Sequence, residues 1–241
     1  MIFERIVCGV DGSPAGFEAL RQANVLRSTA GRVLAVTVCE APATRAAARE
    51  QLGDVPYGDA RIVDGPPAPS LLAVLDRESA TLLAVGTHGG GHLARMLLGS
   101  VATSMLQQAP CSVLVARGSD DRAWSPGSIV VGMDGSREAL VSAVIAAELR
   151  DRHGATVRTI AAQGGPRVDR PVMQEMDGVD RVSGHPVRAL VDASRDADLV
   201  IVGSRGLRAF EALGSVSERV AHQAECSVLV VRPDGPREDG S

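Results

Sequence analysis

The chain has 241 residues, 45% of them apolar, and a formal net charge of −4 at pH 7. This length suits one large globular domain or two ordinary ones, and no apolar run reaches the roughly 18 residues that a membrane-spanning helix needs. The slightly acidic balance and the 2% aromatic content argue against a nucleic-acid surface, which would need a basic face and stacking platforms. No basic segment followed by an apolar one opens the chain, so we expect a cytoplasmic protein.

Lysine is absent, and all 25 basic residues are arginine. A Walker A loop, a kinase-type catalytic lysine and a lysine Schiff base are therefore excluded. Any phosphate bound by this chain must be held by backbone N–H groups, hydroxyls, arginine or a metal ion.

The first half alternates apolar strands with helical patterns. The first strand is predicted over Arg5 to Val10, followed by a turn at Asp11-Gly12, a helix capped by Ser13 and a helix stop at Gly31. The remaining elements are a strand (Val33 to Cys39), a helix (Thr44 to Gln51), a short strand (Arg61 to Val63), a helix (Pro69 to Glu78), a strand (Thr81 to Val85), a helix with Ser100 as its N-cap, and a strand (Ser112 to Val115).

The second half repeats the first. The paired segments are Ile6 to Ala15 with Ile129 to Ala139, Leu83 to Gly89 with Val200 to Gly206, Gly99-Ser100-Val101 with Gly214-Ser215-Val216, and Cys111 to Val115 with Cys226 to Val230. Such self-similarity indicates a tandem duplication. We predict a first domain over residues 1–118, a linker over 119–127, a second domain over 128–233 and a disordered tail over 234–241.

The elements of the second half keep the same order. They are a strand (Ser128 to Met133), a helix (Ser136 to Arg152) stopped at Gly154, a strand (Thr156 to Ala161), a weak segment (Pro171 to Met176), a strand (Val179 to Val182) and a helix (Pro186 to Ser194). Strands that are apolar throughout indicate a parallel sheet covered on both faces. The alternation then predicts an α/β protein with two Rossmann-like, doubly wound, five-stranded sheets in tandem.

With strand order 3-2-1-4-5, the order reverses between strands 1 and 4, where such sheets bind ligands. The turn at Asp11 then lies beside the glycine-rich turn that starts at Gly86. Glycine permits close approach of a ligand to the backbone, and a helix N-terminus at Ser100 attracts anions. The run of Gly86, Gly89, Gly99 and Ser100 therefore predicts a phosphate cradle. We also expect the closing strands to pack the halves as an internal pseudo-dimer.

These motifs resemble the universal stress protein family, in a tandem form that covers nearly the whole chain. The resemblance implies ATP binding in one branch of the family and the same fold without nucleotide in another. It implies that Asp11 contacts the ribose or the magnesium–phosphate region, that Gly9 and Val10 form the adjacent wall, and that Val38 lies along adenine. It further implies contacts to ribose and phosphates from Gly86, Thr87, His88, Gly89, Gly90, Gly91, His92, Gly99, Ser100 and Val101.

The second half departs from that pattern. The corresponding residues are Gly132, Asp134, Gly203, Ser204, Arg205, Gly206, Gly214, Ser215 and Val216. Only seven residues separate Gly206 from Gly214, Glu211 falls among them, and Ala161 stands where the first half has Val38. Arg205 could compensate by pairing with phosphate, and nucleotide binding in this half stays open.

We expect a nucleotide-binding regulatory protein in which ATP occupancy shifts shape or affinity for an unknown regulatory protein partner. No nucleophile–base pair is visible, so efficient turnover is not expected. Two alternatives stay open: a slow ATPase or phosphotransferase in which Asp11 holds magnesium through the phosphates, and a nucleotide-free scaffold. Neither nucleic acid nor membrane is expected as a partner, and association of two chains as a homodimer also stays open.

Overall fold

The computed structural model describes residues 3–41, 45–53, 58–87, 98–118, 124–162, 178–204 and 215–233. Its strands are β1 (Phe3–Gly9), β2 (Arg27–Cys39), β3 (Asp59–Asp64), β4 (Leu82–Gly86), β5 (Ser112–Ala116), β6 (Ser128–Gly132), β7 (Thr156–Ala162), β8 (Val179–Val182), β9 (Leu199–Gly203) and β10 (Ser227–Val231). Its helices are α1 (Pro14–Leu26), α2 (Arg45–Gly53), α3 (Pro67–Arg77), α4 (Ser100–Gln108), α5 (Arg137–His153), α6 (Pro186–Ala193) and α7 (Ser215–Gln223), with a short 3₁₀ turn at Ser194–Asp196.

All ten strands form one sheet, in the order β3-β2-β1-β4-β5-β10-β9-β6-β7-β8. We call β1 to β5 with their helices the first lobe, and β6 to β10 with theirs the second lobe. Within each lobe neighbouring strands are parallel and follow the order 3-2-1-4-5, which confirms the predicted fold class. The two closing strands, β5 and β10, pair antiparallel through three residues each.

The apolar core has two layers, one on each face of the sheet. On one face α3, α4, α6 and α7 share a single cluster that runs through both lobes, and on the other face α1 and α5 share a second one. Trp124, which the sequence places in a linker, is 8% exposed and packs in the second cluster. No helix of the described ranges is long and apolar enough to cross a bilayer.

The interpretation of Gly31 as a helix stop is wrong. Helix α1 ends at Leu26, and Gly31 lies inside β2, which starts at Arg27. A Cβ atom on Gly31 would lie 2.7 Å from the carbonyl oxygen of Phe3, so glycine lets β2 approach β1 closely. Only Arg27 and Arg32 of this stretch pair with β1, opposite Phe3 and Arg5, and the register shifts between them. No apolar run therefore marks this part of the strand in the sequence. The segment 171–176 and the tail 234–241 lie outside the described residues, and the domain limits stay a prediction.

Candidate functional site

A cavity of about 300 Å³ opens in the first lobe, where the strand order reverses. Strands β1 and β4 pair there directly, while β2 flanks one of them and β5 the other. Nine lining residues belong to the predicted set: Gly9, Val10, Asp11, Val38, Gly86, Thr87, Gly99, Ser100 and Val101. Six others were missed by sequence reasoning: Gly16, Val36, Pro67, Leu71, Val85 and Ala102. The volume lies at the lower end of the range of small-molecule sites.

Residues at one side of the cavity are apolar. Val36 and Val38 come from β2, Leu71 from α3 and Val85 from β4. At its floor, a Cβ on Gly9 would touch Leu71 Cδ1 and Val85 Cγ1 at 3.5 Å, so the missing side chain leaves this space open. A slot of this kind suits the flat apolar face of a heterocyclic base.

Asp11 lies at the edge of the cavity, held by the start of α1. Its Oδ1 accepts hydrogen bonds from the backbone N–H of Ser13 at 3.1 Å and from the Ser13 hydroxyl at 2.5 Å. The Ser13 Oγ in turn accepts from the N–H of Gly16 at 3.1 Å and caps the helix. A Cβ on Gly16 would lie 2.8 Å from Asp11 Oδ1, so glycine at this position makes room for the carboxylate. The carboxylate is thus fixed by one oxygen and remains exposed to ligands.

Helix α4 also begins at the cavity, and its N-cap is Gly99 rather than the predicted Ser100. Gly99 lacks a capping side chain, and the first helical hydrogen bond runs from the Thr103 N–H to the Gly99 carbonyl at 3.0 Å. The amides of Ser100, Val101 and Ala102 precede that bond, and all three residues line the cavity. Backbone N–H groups at an uncapped helix start form a binding site for anions.

The N–H of Gly99 donates to the Thr87 carbonyl at 2.7 Å and so ties the end of β4 to the start of α4. Between these two residues lies most of the predicted glycine-rich turn. His88, Gly89, Gly90, Gly91 and His92 fall outside the described residues, as do Arg205, Gly206 and Gly214 of the second lobe. Among the described lining residues, Asp11 is the sole ionisable side chain.

The second lobe repeats the backbone of this site. Asp134 Oδ1 accepts from the Ser136 N–H at 3.0 Å, and Ser136 caps α5 as Ser13 caps α1. The prediction that Ala161 takes the place of Val38 is wrong by one residue. The Met133 N–H donates to the Ile160 carbonyl just as that of Val10 donates to Val36, so Ala162 corresponds to Val38.

The floor of the corresponding site in the second lobe is more tightly packed than the cavity floor in the first lobe. A Cβ on Gly132 would lie 3.1 Å from both Leu190 Cδ1 and Val202 Cγ1, where the corresponding contacts of Gly9 are 3.5 Å. Three buried residues, Met133, Ala139 and Ala161, form a small apolar cluster beside the turn at Asp134.

The main chain of Ser204 is already engaged in hydrogen bonds. Its N–H donates to the Val231 carbonyl at 2.9 Å, and its own carbonyl accepts from the Ser217 hydroxyl at 3.3 Å. Ser204 is 3% exposed. Val216 lies in the first turn of α7, which starts at Ser215. These contacts leave Ser204 little access to a ligand.

The model of the universal stress protein family matches residues 44–117 and 173–232. A universal stress protein of Mycobacterium tuberculosis is 30% identical over 201 residues, which cover 71% of this chain and 68% of that protein. A putative universal stress protein from Pseudomonas aeruginosa has a TM-score of 0.74 at 18% identity, over 96% of this chain and 94% of that chain. One from Archaeoglobus fulgidus has a TM-score of 0.69 at 20% identity, over 97% of both chains.

Proposed function

Because this chain belongs to the universal stress protein family, we propose that its first lobe binds ATP and that the protein acts as a nucleotide-dependent regulatory module in a stress response. The observation that carries this proposal is the cavity at the strand-order reversal, with the uncapped start of α4 facing an apolar slot. ATP has matching parts, namely a flat base, a ribose with hydroxyl groups and a polyanionic tail.

Each part of the nucleotide has a chemical counterpart in the first lobe. The base lies between Val38 and Leu71, the ribose hydroxyls donate to the Asp11 carboxylate, and the phosphates accept from the amides at the start of α4. No group of three or more metal-ligating side chains occurs among the described residues. A magnesium ion would therefore reach the protein through Asp11 and take its other ligands from phosphate oxygens and water.

We assign the site to regulation rather than to efficient catalysis. Asp11 is the sole ionisable side chain of the described lining, and the hydroxyl bonded to it, that of Ser13, is buried and caps α1. Binding energy is then available to favour one conformation over another, and a regulatory partner binds the two conformations with different affinity.

Equilibrium dialysis with radiolabelled ATP and magnesium tests the proposal on the full chain. We expect one nucleotide per chain, because the second lobe has the tighter floor and an engaged Ser204. Asp11→Asn keeps the acceptor for Ser13 but removes the charge, and should weaken binding about tenfold, as loss of a charged hydrogen bond does. Asp134→Asn is the matched control and should leave the affinity unchanged.

Absence of uptake by the wild-type chain would reject ATP binding and favour the scaffold alternative. Phosphate release that is lost in Asp11→Asn but retained in Asp134→Asn would favour the slow ATPase instead. AMP and cAMP, tested as competitors of labelled ATP, show which adenylate the site prefers.

A further inference from the structure

Two arginines directly after the closing strands each bind a helix of the opposite lobe. Arg232, after β10, donates from Nη2 to the carbonyl oxygen of Leu106 in α4 and from Nη1 to that of Cys111 at 3.3 Å. Arg117, after β5, donates from Nη2 to the carbonyl of Ala221 in α7 at 2.5 Å and from Nη1 to that of Cys226 at 3.3 Å. Each lobe therefore supplies an arginine that binds a helix of the other lobe across the antiparallel junction.

The backbone of each arginine is held in the same reciprocal way. The Arg232 N–H donates to Ser112 Oγ, and the Arg117 N–H donates to Ser227 Oγ, both at 3.0 Å. These bonds extend the pairing of β5 and β10 beyond its three register pairs. Each guanidinium is thus placed at the last turn of a helix, where a positive charge and N–H donors stabilise the unpaired carbonyl groups.

Helix α4 connects this junction to the candidate nucleotide site. Its first residues line the cavity, and its last turn accepts from Arg232. The helix has nine residues, which corresponds to a length of about 13 Å. Because a helix this short moves as one body, a contact that fixes its last turn also fixes the amides of its first turn.

We propose that Arg232 is a positioning residue for the anion-binding end of α4, so that the second lobe completes the nucleotide site of the first. This inference rests on the proposed function. Arg232 touches no ligand itself; it sets the position of the Ser100, Val101 and Ala102 amides relative to β4. Without Arg232 the cavity keeps its lining residues, but the amides that donate hydrogen bonds to phosphate are held less firmly.

The reciprocal arrangement supplies a matched control within the same molecule. Arg117 makes the same kinds of bond at the same junction, but its helix is α7, which starts in the second lobe. If the two arginines only hold the lobe junction together, Arg117→Met and Arg232→Met should have equal consequences in the first lobe. The positioning role predicts that α4 and its ligand respond to Arg232→Met alone.

Amide hydrogen exchange on the full chain separates the two roles. Without nucleotide, Arg232→Met should accelerate exchange in the peptide over residues 99–109 about tenfold, the size expected when a charged hydrogen bond is lost. Titration with magnesium–ATP, followed by protection of the same peptide, should give an affinity about tenfold weaker than that of the wild type. Arg117→Met should change both quantities less than about twofold and should instead accelerate exchange in α7.

Equal effects of the two substitutions on the 99–109 peptide, or unchanged exchange there in Arg232→Met, would overturn the inference. Arg232→Lys retains the charge but not the two-pronged donor, and should fall between wild type and Arg232→Met. Should Arg232→Met fail to fold, the amide exchange and ATP affinity of Arg232→Lys test the inference instead. If the wild type shows no protection by ATP, the proposed function fails, while the nucleotide-free exchange still decides whether Arg232 positions α4.

Discussion

Gly86 and Ala15 approach each other so closely that a side chain on the glycine would overlap the alanine. A Cβ on Gly86 would lie 2.6 Å from both the carbonyl carbon and the carbonyl oxygen of Ala15. This contact joins the end of β4 to the start of α1, and so sets how far the Asp11 turn lies from the end of β4. Gly203 has the same relationship to Glu138 in the second lobe, with a distance of 2.6 Å to Glu138 Cβ.

Gly86→Ala should therefore destabilise the protein, because main-chain atoms must move apart to admit the methyl group. We expect a loss of about 1–3 kcal/mol in the free energy of unfolding, measured as a lower urea midpoint at constant m-value. Gly9→Ala is the control, since its new methyl would make ordinary contacts at 3.5 Å. That control should keep its stability and lose ATP affinity instead, because the methyl enters the cavity floor; equal loss of stability in both would contradict this account.

Thr37 fixes the backbone next to the Asp11 turn. Its hydroxyl donates to the Val10 carbonyl at 2.7 Å, and the side chain is 5% exposed. Thr37→Val preserves the shape but leaves that carbonyl without its partner, and should cost about 1–3 kcal/mol in unfolding free energy. Thr159→Val on β7 should cost less than about 0.5 kcal/mol, because this side chain is partly exposed. Chemical denaturation measures the unfolding free energy of both variants. Similar losses would show that the hydrogen bond from Thr37 to the Val10 carbonyl does not stabilise the fold.

The two serines of the lobe junction should differ in their contribution to stability. Ser227 Oγ donates to Gln22 Oε1 at 2.7 Å, and Gln22 is 0% exposed. Ser227→Ala leaves this buried oxygen unpaired and should cost about 2–3 kcal/mol. Ser112→Ala affects the backbone of the partly exposed Arg232, which water can reach, so we expect a loss of about 1 kcal/mol. Equal midpoints of thermal unfolding for the two variants would refute the ranking.

His153 should make stability depend on pH in the weakly acidic range. Burial, and secondarily the charge of Arg152, lower the pKa of His153 from 6.5. The unfolded chain then binds more protons than the folded chain as pH falls through the unfolded value, so stability decreases toward acid. His153→Gln should reduce the difference in urea midpoint between pH 7.5 and pH 5.5, and Arg152→Gln should reduce it less, since burial is the larger cause. An undiminished difference in His153→Gln would assign the pH dependence to other groups.

The sequence by itself determined the tandem repeat and the parallel sheet, because these follow from the self-similar halves and from local signals: apolar runs, turn glycines and helix caps such as Ser13. The strand order 3-2-1-4-5 was an expectation for a sheet of this class, and the pairing of the strands in the structure confirms it. It also indicated that the turn at Asp11 and the segments around Gly86 and Gly99 lie together, since the carboxyl ends of adjacent parallel strands meet at one edge. The nucleotide assignment of these residues remains a prediction.

Tertiary structure alone decided the contacts that depend on separate segments reaching the same place. Leu71 and Val85 become cavity walls because α3 and β4 meet at the floor beneath Gly9, and no spacing along the chain encodes that meeting. The N-cap is Gly99 rather than Ser100, because the extended backbone ends at Gly99. The Gly99 N–H donates to the carbonyl of Thr87, at the end of another element. The contacts of Arg117 and Arg232 with helices of the opposite lobe require antiparallel pairing of β5 and β10. Local sequence sets backbone conformation, whereas long-range packing selects which carbonyl groups a long arginine side chain can reach.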